Sequence, residues 1–329
     1  MNILKNCLFL LFFSISLSWA EDIKLTTWNI EHLGTDGRGF GGGYGGGSID
    51  LRTPEQLKAI ADFIKDDLKS DIIALQEISI DYEDNGTSRN ERLDVIVSEL
   101  GTHWQYYLPP KHSDHHNQSM YVGYLWNSEK VNAANLAPLL TPHLDLAGKA
   151  LFDRVPVIGY FEVKTANGTG NDFMVVNVHL ASGQHNDENH LIAMTLIEYQ
   201  LNSALTEIRV KESDRIILGD FNDNPYAKSS SGKKIHTPAL YDHMAFKGYT
   251  NFVTEDFHST RMDSNLTSVI DHVLVNKSAR NHIDEDKAEI WLPAGGESTF
   301  ATWRQTYSDH FPISVYINTA ASDDDVDWH

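Results

Sequence analysis

A chain of 329 residues carrying a formal charge of −20 at pH 7 can bury a large core. It is too acidic for a simple nucleic-acid-binding module, because such a surface repels phosphate backbones unless cations intervene. An enzyme that meets phosphate through a bound metal is not excluded, since the ion inverts the local field.

The first twenty residues read as a secretory leader. Lys5 precedes an apolar run from Leu8 to Leu17, and Ser18-Trp19-Ala20 supplies a small-residue ending, with cleavage expected after Ala20. The run is too short to span a ~30 Å hydrocarbon core, so no stable membrane insertion is expected, and the location is secreted or periplasmic. Cys7 is the single cysteine and lies in this leader, leaving residues 21–329 without a disulfide. A domain of this size does not need one.

Beyond the leader, Ile23 to Trp28 has the partial alternation of a strand. Residues 34–47 hold nine glycines in fourteen positions and read as a loop, either a substrate-sensing flap or a neutral insertion. Residues 53–69 have helical spacing, with Pro54 early and Leu57, Ile60, Ala61, Ile64 and Leu68 on one face. Asp71 to Gln76 is a nearly all-apolar buried strand, and residues 90–100 a second helix. Met120–Trp126 and Val155–Val163 read as strands, and residues 132–152 show no clean period. Phe173–Val178 is a strand, His190–Ile208 a long helix and Arg215–Gly219 a short central strand. Residues 223–245 read mostly as loop, Val269–Val275 and Pro312–Ile317 as late strands, and residues 276–304 as a polar surface excursion. The expected architecture is α+β, with two mixed, largely antiparallel sheets face to face and helices outside. Residues 21–318 are expected to form one domain, and residues 319–329 an acidic flexible tail.

Six hydrophobic runs end in polar residues: Asn29, Glu77, His179, Asp220-Phe221-Asn222, Asp271-His272 and Asp309-His310. A glutamate at the rim of a buried strand is costly unless paired or metal-bound. Asn222 follows Asp220 by two, so both face one site if the strand geometry continues. Oxygen ligands of this kind suit Mg²⁺, with Mn²⁺ or Ca²⁺ as alternatives. A histidine beside an aspartate can polarise water or protonate a leaving oxygen. Taken singly, a strand-end histidine is more often a surface residue, and an Asp-Asn more often a turn. Together they point to a hydrolytic metal site.

The segments Thr27-Trp28-Asn29-Ile30, Asp71 to Glu77, Asn177-Val178-His179-Leu180, Gly219-Asp220-Phe221-Asn222, Ile270-Asp271-His272-Val273 and Ser308 to Pro312 resemble, in order, those of the endonuclease/exonuclease/phosphatase superfamily. That resemblance covers about residues 22–318 and implies the DNase I-like four-layer α/β/β/α sandwich. It also implies roles. Glu77 is the principal metal ligand, with Asn29 completing or orienting the shell. Asp220 orients or deprotonates the attacking water, and Asn222 is its partner on the phosphate. His179 donates to a non-bridging oxygen. His310 is the second histidine at the scissile phosphate, with Asp271 as its carboxylate partner, and Asp309 orients a water or ligates metal. Arg154 resembles the family arginine that touches phosphate, although an arginine at a strand start is equally a surface charge.

The shared core does not select a substrate. Lys233 and Lys234, in the densest positive stretch of the chain, follow the Asp220–Asn222 turn and suit a flanking phosphate. The loop holding His112, His115 and His116 either touches phosphate or decorates the surface. The expected activity is a divalent-metal-dependent endonuclease acting on DNA, with RNA as a further substrate. A small-substrate phosphatase or other phosphodiesterase is the alternative, and a monomer is the default.

Overall fold

The computed structural model describes residues 22–34, 52–111, 120–139, 145–146, 149–150, 152, 154–165, 168–182, 187–207, 212–227, 239–262 and 267–318. The leader, most of the glycine-rich segment, the loop holding His112, His115 and His116, Lys233, Lys234 and the tail from 319 onward lie outside the described residues.

Twelve strands and five α-helices carry the architecture. The strands are β1 (Ile23–Leu33), β2 (Ile72–Ile78), β3 (Trp104–Tyr107), β4 (Tyr121–Asn127), β5 (Val131–Pro138) and β6 (Val157–Thr165). They continue with β7 (Gly168–His179), β8 (Arg215–Asp220), β9 (Tyr249–Asn251), β10 (Asp271–Asn276), β11 (Ile283–Ile290) and β12 (Ile313–Ile317). The helices are α1 (Pro54–Asp62), α2 (Glu91–Leu100), α3 (Asp187–Glu207), α4 (Ala239–Phe246) and α5 (Phe300–Thr306).

The strands form two six-stranded sheets, ordered β11-β12-β1-β2-β4-β3 and β9-β10-β8-β7-β6-β5. Each sheet has one parallel pair near its centre, β1 with β2 and β7 with β8, and the neighbouring pairs are antiparallel. A parallel pair needs a long crossover, and α1 and α3 lie in those two crossovers. Within β1 and β12, Ile23 pairs with Ile317, so the first and last described strands lie side by side.

Apolar residues on both faces of the central strands explain the layers. Leu25, Ile72, Val175, Ile216 and Val315 pack between the sheets. Their neighbours in sequence point outward. Ile73 and Leu75 meet Leu57, Ile60 and Ile96 of α1 and α2, while Val176 and Ile217 meet Ile197, Leu201 and Met244 of α3 and α4. Helix α1 starts as its sequence dictates, with Pro54 in the first turn and a reciprocal capping box between Thr53 and Gln56. The helical spacing read over 53–69 continues past Asp62 as a wider π turn, and Lys69 closes it with φ +50° and its N–H on the Ile64 carbonyl at 2.8 Å.

Three stretches differ from the sequence expectation. Residues 276–304 contain β11 and α5, residues 223–245 run into α4, and β5 lies in the stretch that lacked a clean period. β11 reads Ile-Asp-Glu-Asp-Lys-Ala-Glu-Ile and is an edge strand, where charge is tolerated and discourages edge-to-edge association. Its hydrophilic pattern hides it from a search for buried strands.

Candidate active site

The ends of the two parallel pairs set the site. In the second sheet, His179 is level with Asp220, and Asp220 with Asp271, so three polar residues stand abreast on β7, β8 and β10. Gly219 makes this possible. Its φ is +141°, and a Cβ there would lie 2.0 Å from the Val178 carbonyl oxygen, so no larger residue fits this close approach. In the first sheet, Asn29 and Glu77 sit at bulges in β1 and β2, and Glu77 has φ +64°. Bulges re-aim side chains, and these two turn toward the facing sheet. Beneath the site, Gln76 Nε2 donates to Asn177 Oδ1 at 2.7 Å, and Asn177 Nδ2 donates to the Leu75 and Gly123 carbonyls at 3.0 and 2.8 Å. These buried bonds fix one sheet against the other immediately below the reacting groups.

Asn29 joins the two halves. Its Nδ2 donates to Glu77 Oε1 and to Asp220 Oδ2, both at 3.0 Å, while its Oδ1 accepts the Glu31 N–H at 3.0 Å. In this arrangement Asn29 orients the two carboxylates. His179 Nε2 lies 3.4 Å from Asp220 Oδ2 and 4.0 Å from Glu77 Oε1. On the other side, His310 Nδ1 is 2.8 Å from Asp271 Oδ2, and its Nε2 lies 3.8 Å from Asp220 Oδ2. Ser308 holds this loop in place, its Oγ donating to the Asn29 carbonyl at 2.6 Å and accepting the His310 N–H at 3.0 Å. Asn222 donates its N–H to Asp220 Oδ1 at 2.8 Å and its Nδ2 to the Leu180 carbonyl at 2.9 Å.

Electrostatics separate these groups. Burial and the Asp271 carboxylate raise Asp220 to about 6, the range of a working base. Burial opposes a charged His310, but Asp271, Asp309 and Asp220 outweigh it and raise the ring to about 10. Burial, reinforced by Arg154 and His310, holds His179 well below the ordinary histidine range. At neutral pH one histidine is thus an imidazolium and the other a neutral donor.

Asp309 sits beside the dyad, with Oδ1 3.8 Å from His310 Nε2 and Oδ2 3.0 Å from Arg261 Nε. Burial works against its ionisation, yet His310, Arg261 and Arg304 keep it below the usual carboxylate range. Arg154 is buried, with an NH1 bond to the Leu180 carbonyl at 3.3 Å, so it is no surface charge. His272 turns away from the site. Its Nε2 is 3.0 Å from the Asp223 carbonyl oxygen and its ring meets Phe221 edge-on, which clamps the turn after Asp220.

Several contributors carry no sequence signal. Arg52 binds the carbonyls of Ile30 and Tyr307 at 2.5 Å and of Glu31 at 2.8 Å, stitching the Asn29 bulge to the Ser308 loop. Burial lowers its guanidinium to about 10, so it stays charged. His32 donates its N–H to Glu77 Oε2 at 3.2 Å. Arg304 grips Glu31, with NH2 to Oε1 at 2.5 Å.

A model of the endonuclease/exonuclease/phosphatase family matches residues 26–310. The chain belongs to that family. Solved members of the same fold include the human Nocturnin catalytic domain, at 16% identity over 90% of this chain and 93% of that one, with a TM-score of 0.57. A mannosyl-6-phosphatase from Bacteroides thetaiotaomicron is 17% identical over 90% and 99% of the two chains, with a TM-score of 0.54. Truncated TDP2 from Caenorhabditis elegans is 15% identical over 90% and 98%, with a TM-score of 0.51. At such identities the likeness is one of fold. No curated protein matches the sequence. Family enzymes hydrolyse phosphoesters and generally depend on a divalent metal.

The donor set fits such a metal. Glu77, Asp220, Asp271 and Asp309 converge, and Glu77 is held by the neutral donors Asn29 and His32 N–H without a lysine or arginine pair among the described residues. Carboxylate oxygens of this kind suit a hard divalent ion. Asp220, Asp271 and His310 place one potential ligand atom each within 4.8 Å of one another. His310 Nδ1 is already engaged with Asp271 Oδ2 at 2.8 Å, however, and that bond reads as a charge dyad. Glu77 is the better ligand. No helix among the described residues is long and apolar enough to cross a membrane.

Proposed function

We propose that this protein is a divalent-metal-dependent phosphodiesterase, a secreted or periplasmic endonuclease that hydrolyses DNA, and RNA as a further substrate, by in-line attack of water. One observation carries the reading. Glu77, His179, Asp220, Asp271 and His310 come from five separate stretches of sequence, yet a chain of contacts no longer than 4.0 Å links them.

Each residue then has a task. Glu77 would hold the ion, Mg²⁺ by preference, and Asn29 aligns Glu77 with Asp220. When bound, the ion would supply Lewis-acid charge to the phosphate. Asp220 orients the attacking water and accepts its proton. His310, charged and steered by Asp271, and His179, neutral and donating through Nε2–H, meet the negative charge that gathers on the pentacoordinate phosphorus. Asn222 holds Asp220 and faces the phosphate, with Arg154 behind His179. P–O cleavage releases an alcohol and a phosphate monoester.

Supercoiled plasmid incubated with Mg²⁺, with and without EDTA, tests the proposal. Nicked circles that require the metal support it. An intact plasmid, with inorganic phosphate released from monoesters, replaces it with a small-substrate phosphatase. N-terminal sequencing of the exported protein, expected to begin at Glu21, tests the location.

A further inference from the structure

Beside the reacting groups stand two arginines that hold Asp309 and to which the proposed hydrolysis gives no contact with the phosphate. The backbone of Arg261 bridges that of His310 in antiparallel register, and Met262 N–H donates to the Asp309 carbonyl at 2.8 Å. Residues directly opposite in an antiparallel bridge project to the same side, so Arg261 leaves the ladder alongside His310. Its Nε is anchored on Asp309 Oδ2 at 3.0 Å, and neither terminal nitrogen has a hydrogen-bond partner among the described residues. Arg304 spends Nε and NH2 on Glu31, lies 3.8 Å from Asp309 Oδ2, and has no hydrogen bond at NH1 among the described residues. Both side chains are about half exposed, at 46% and 52%.

Each pair joins a half-exposed arginine to a shielded carboxylate, and solvent screening at the arginine keeps its contribution to stability modest. Anchoring a guanidinium through Nε does something else. It fixes the plane of the fork and points two terminal amines outward, the geometry that grips a phosphate with two parallel hydrogen bonds. Asp309 joins this fork to His310, whose Nε2 lies 3.8 Å from its Oδ1. The cationic edge is thus one residue removed from the scissile position, in a protein whose net charge is −20.

We propose that Arg261, backed by Arg304, is a subsite for a second phosphate group next to the one being cleaved. This rests on the phosphodiesterase reading and deepens it, because it selects substrates with successive phosphates over isolated phosphoesters. Specificity then comes from the rim and hydrolysis from the centre.

Calorimetric titration in Mg²⁺ compares thymidine 3′,5′-bisphosphate, which carries two phosphates, with thymidine 5′-monophosphate, which carries one. The unaltered protein is expected to bind the bisphosphate at least tenfold more tightly. Arg261→Ala is expected to bring the two affinities within twofold, with a larger loss for the bisphosphate than for the monophosphate. Arg261→Lys keeps part of the preference, and Arg304→Gln weakens it by a smaller factor. Equal affinities in the unaltered protein, equal losses for both ligands in Arg261→Ala, or a preference that survives Arg261→Ala each overturn the subsite. The readout is binding, so it stands apart from the plasmid assay. A protein that fails to nick DNA yet shows the Arg261-dependent preference loses the nuclease reading and keeps the subsite.

Discussion

Replacing Asp271 by asparagine keeps the shape of the site and removes one charge, and the effect can be worked from the geometry. Asp271 Oδ2 lies 2.8 Å from His310 Nδ1, and both residues are buried. Among the groups that favour the charged ring, Asp271 contributes most in raising it from 6.5 to about 10. That rise corresponds to about 5 kcal/mol of preference for the imidazolium. Asparagine removes the largest of these charges and leaves Asp309 and Asp220 to oppose burial, so the preference shrinks and less of the ring is charged at pH 8. A neutral, misaligned ring costs one charged donor to the transition state, and turnover should drop by roughly 10²–10⁴-fold. The sign of the pH effect is fixed as well. The deficit narrows as pH falls, because the ring regains its proton. Steady-state hydrolysis of bis(p-nitrophenyl) phosphate from pH 5 to 9 measures turnover, and an NMR titration of the imidazole in the metal-free protein follows the proton. A kcat within threefold of the parent at pH 8, together with an unmoved His310 titration, would refute the dyad.

Three further outcomes are expected. His179→Ala removes the neutral donor beside Asp220 and should slow turnover by roughly 10²-fold or more; kcat within threefold of the parent contradicts its role. Gly219→Ala forces a Cβ to 2.0 Å from the Val178 carbonyl oxygen at φ +141°, so denaturant titration should show a loss of about 3 kcal/mol or more, or no folded protein. A normal midpoint would mean that β7 and β8 can separate there. In the metal-free protein, a histidine raised from 6.5 to about 10 adds stability that is complete below pH 6.5 and is lost as pH climbs through 10. The melting temperature should therefore fall between pH 7 and 9, by about 5 °C or more. His310→Gln should flatten that slope, and an unchanged slope in the variant would assign the effect elsewhere.

The six strand-end motifs were legible because a polar residue closing an apolar run violates the burial pattern around it. Asn29, Glu77, His179, Asp220, Asp271 and His310 all stand out this way, and the structure brings all six together. The pattern did not separate the two members of Asp271-His272, whose side chains point to opposite faces of β10. It also gave no weight to Arg52, Arg261, Arg304 or His32. These act through backbone carbonyls, a bulge or a partner more than two hundred residues away, as Arg304 does with Glu31. Sheet edges were equally hidden. β11 belongs to its sheet through main-chain bonds to β12, with five charged residues among its eight, and no hydrophobic period announces it. Glycine-rich and lysine-bearing loops were visible as composition, which specifies no conformation.

The pairing of Ile23 with Ile317 has a practical corollary. Facing residues in an antiparallel ladder sit roughly 5 Å apart, so a few glycines would join Asp22 to Asn318 without disturbing either strand. The chain could then be opened at Asn85-Gly86, an exposed hairpin tip with φ +50° and +78°. Such a circular permutant would start and finish at that hairpin tip, between Tyr82–Asp84 and Thr87–Arg89. It would show whether this enzyme needs its native order of synthesis or only its final geometry.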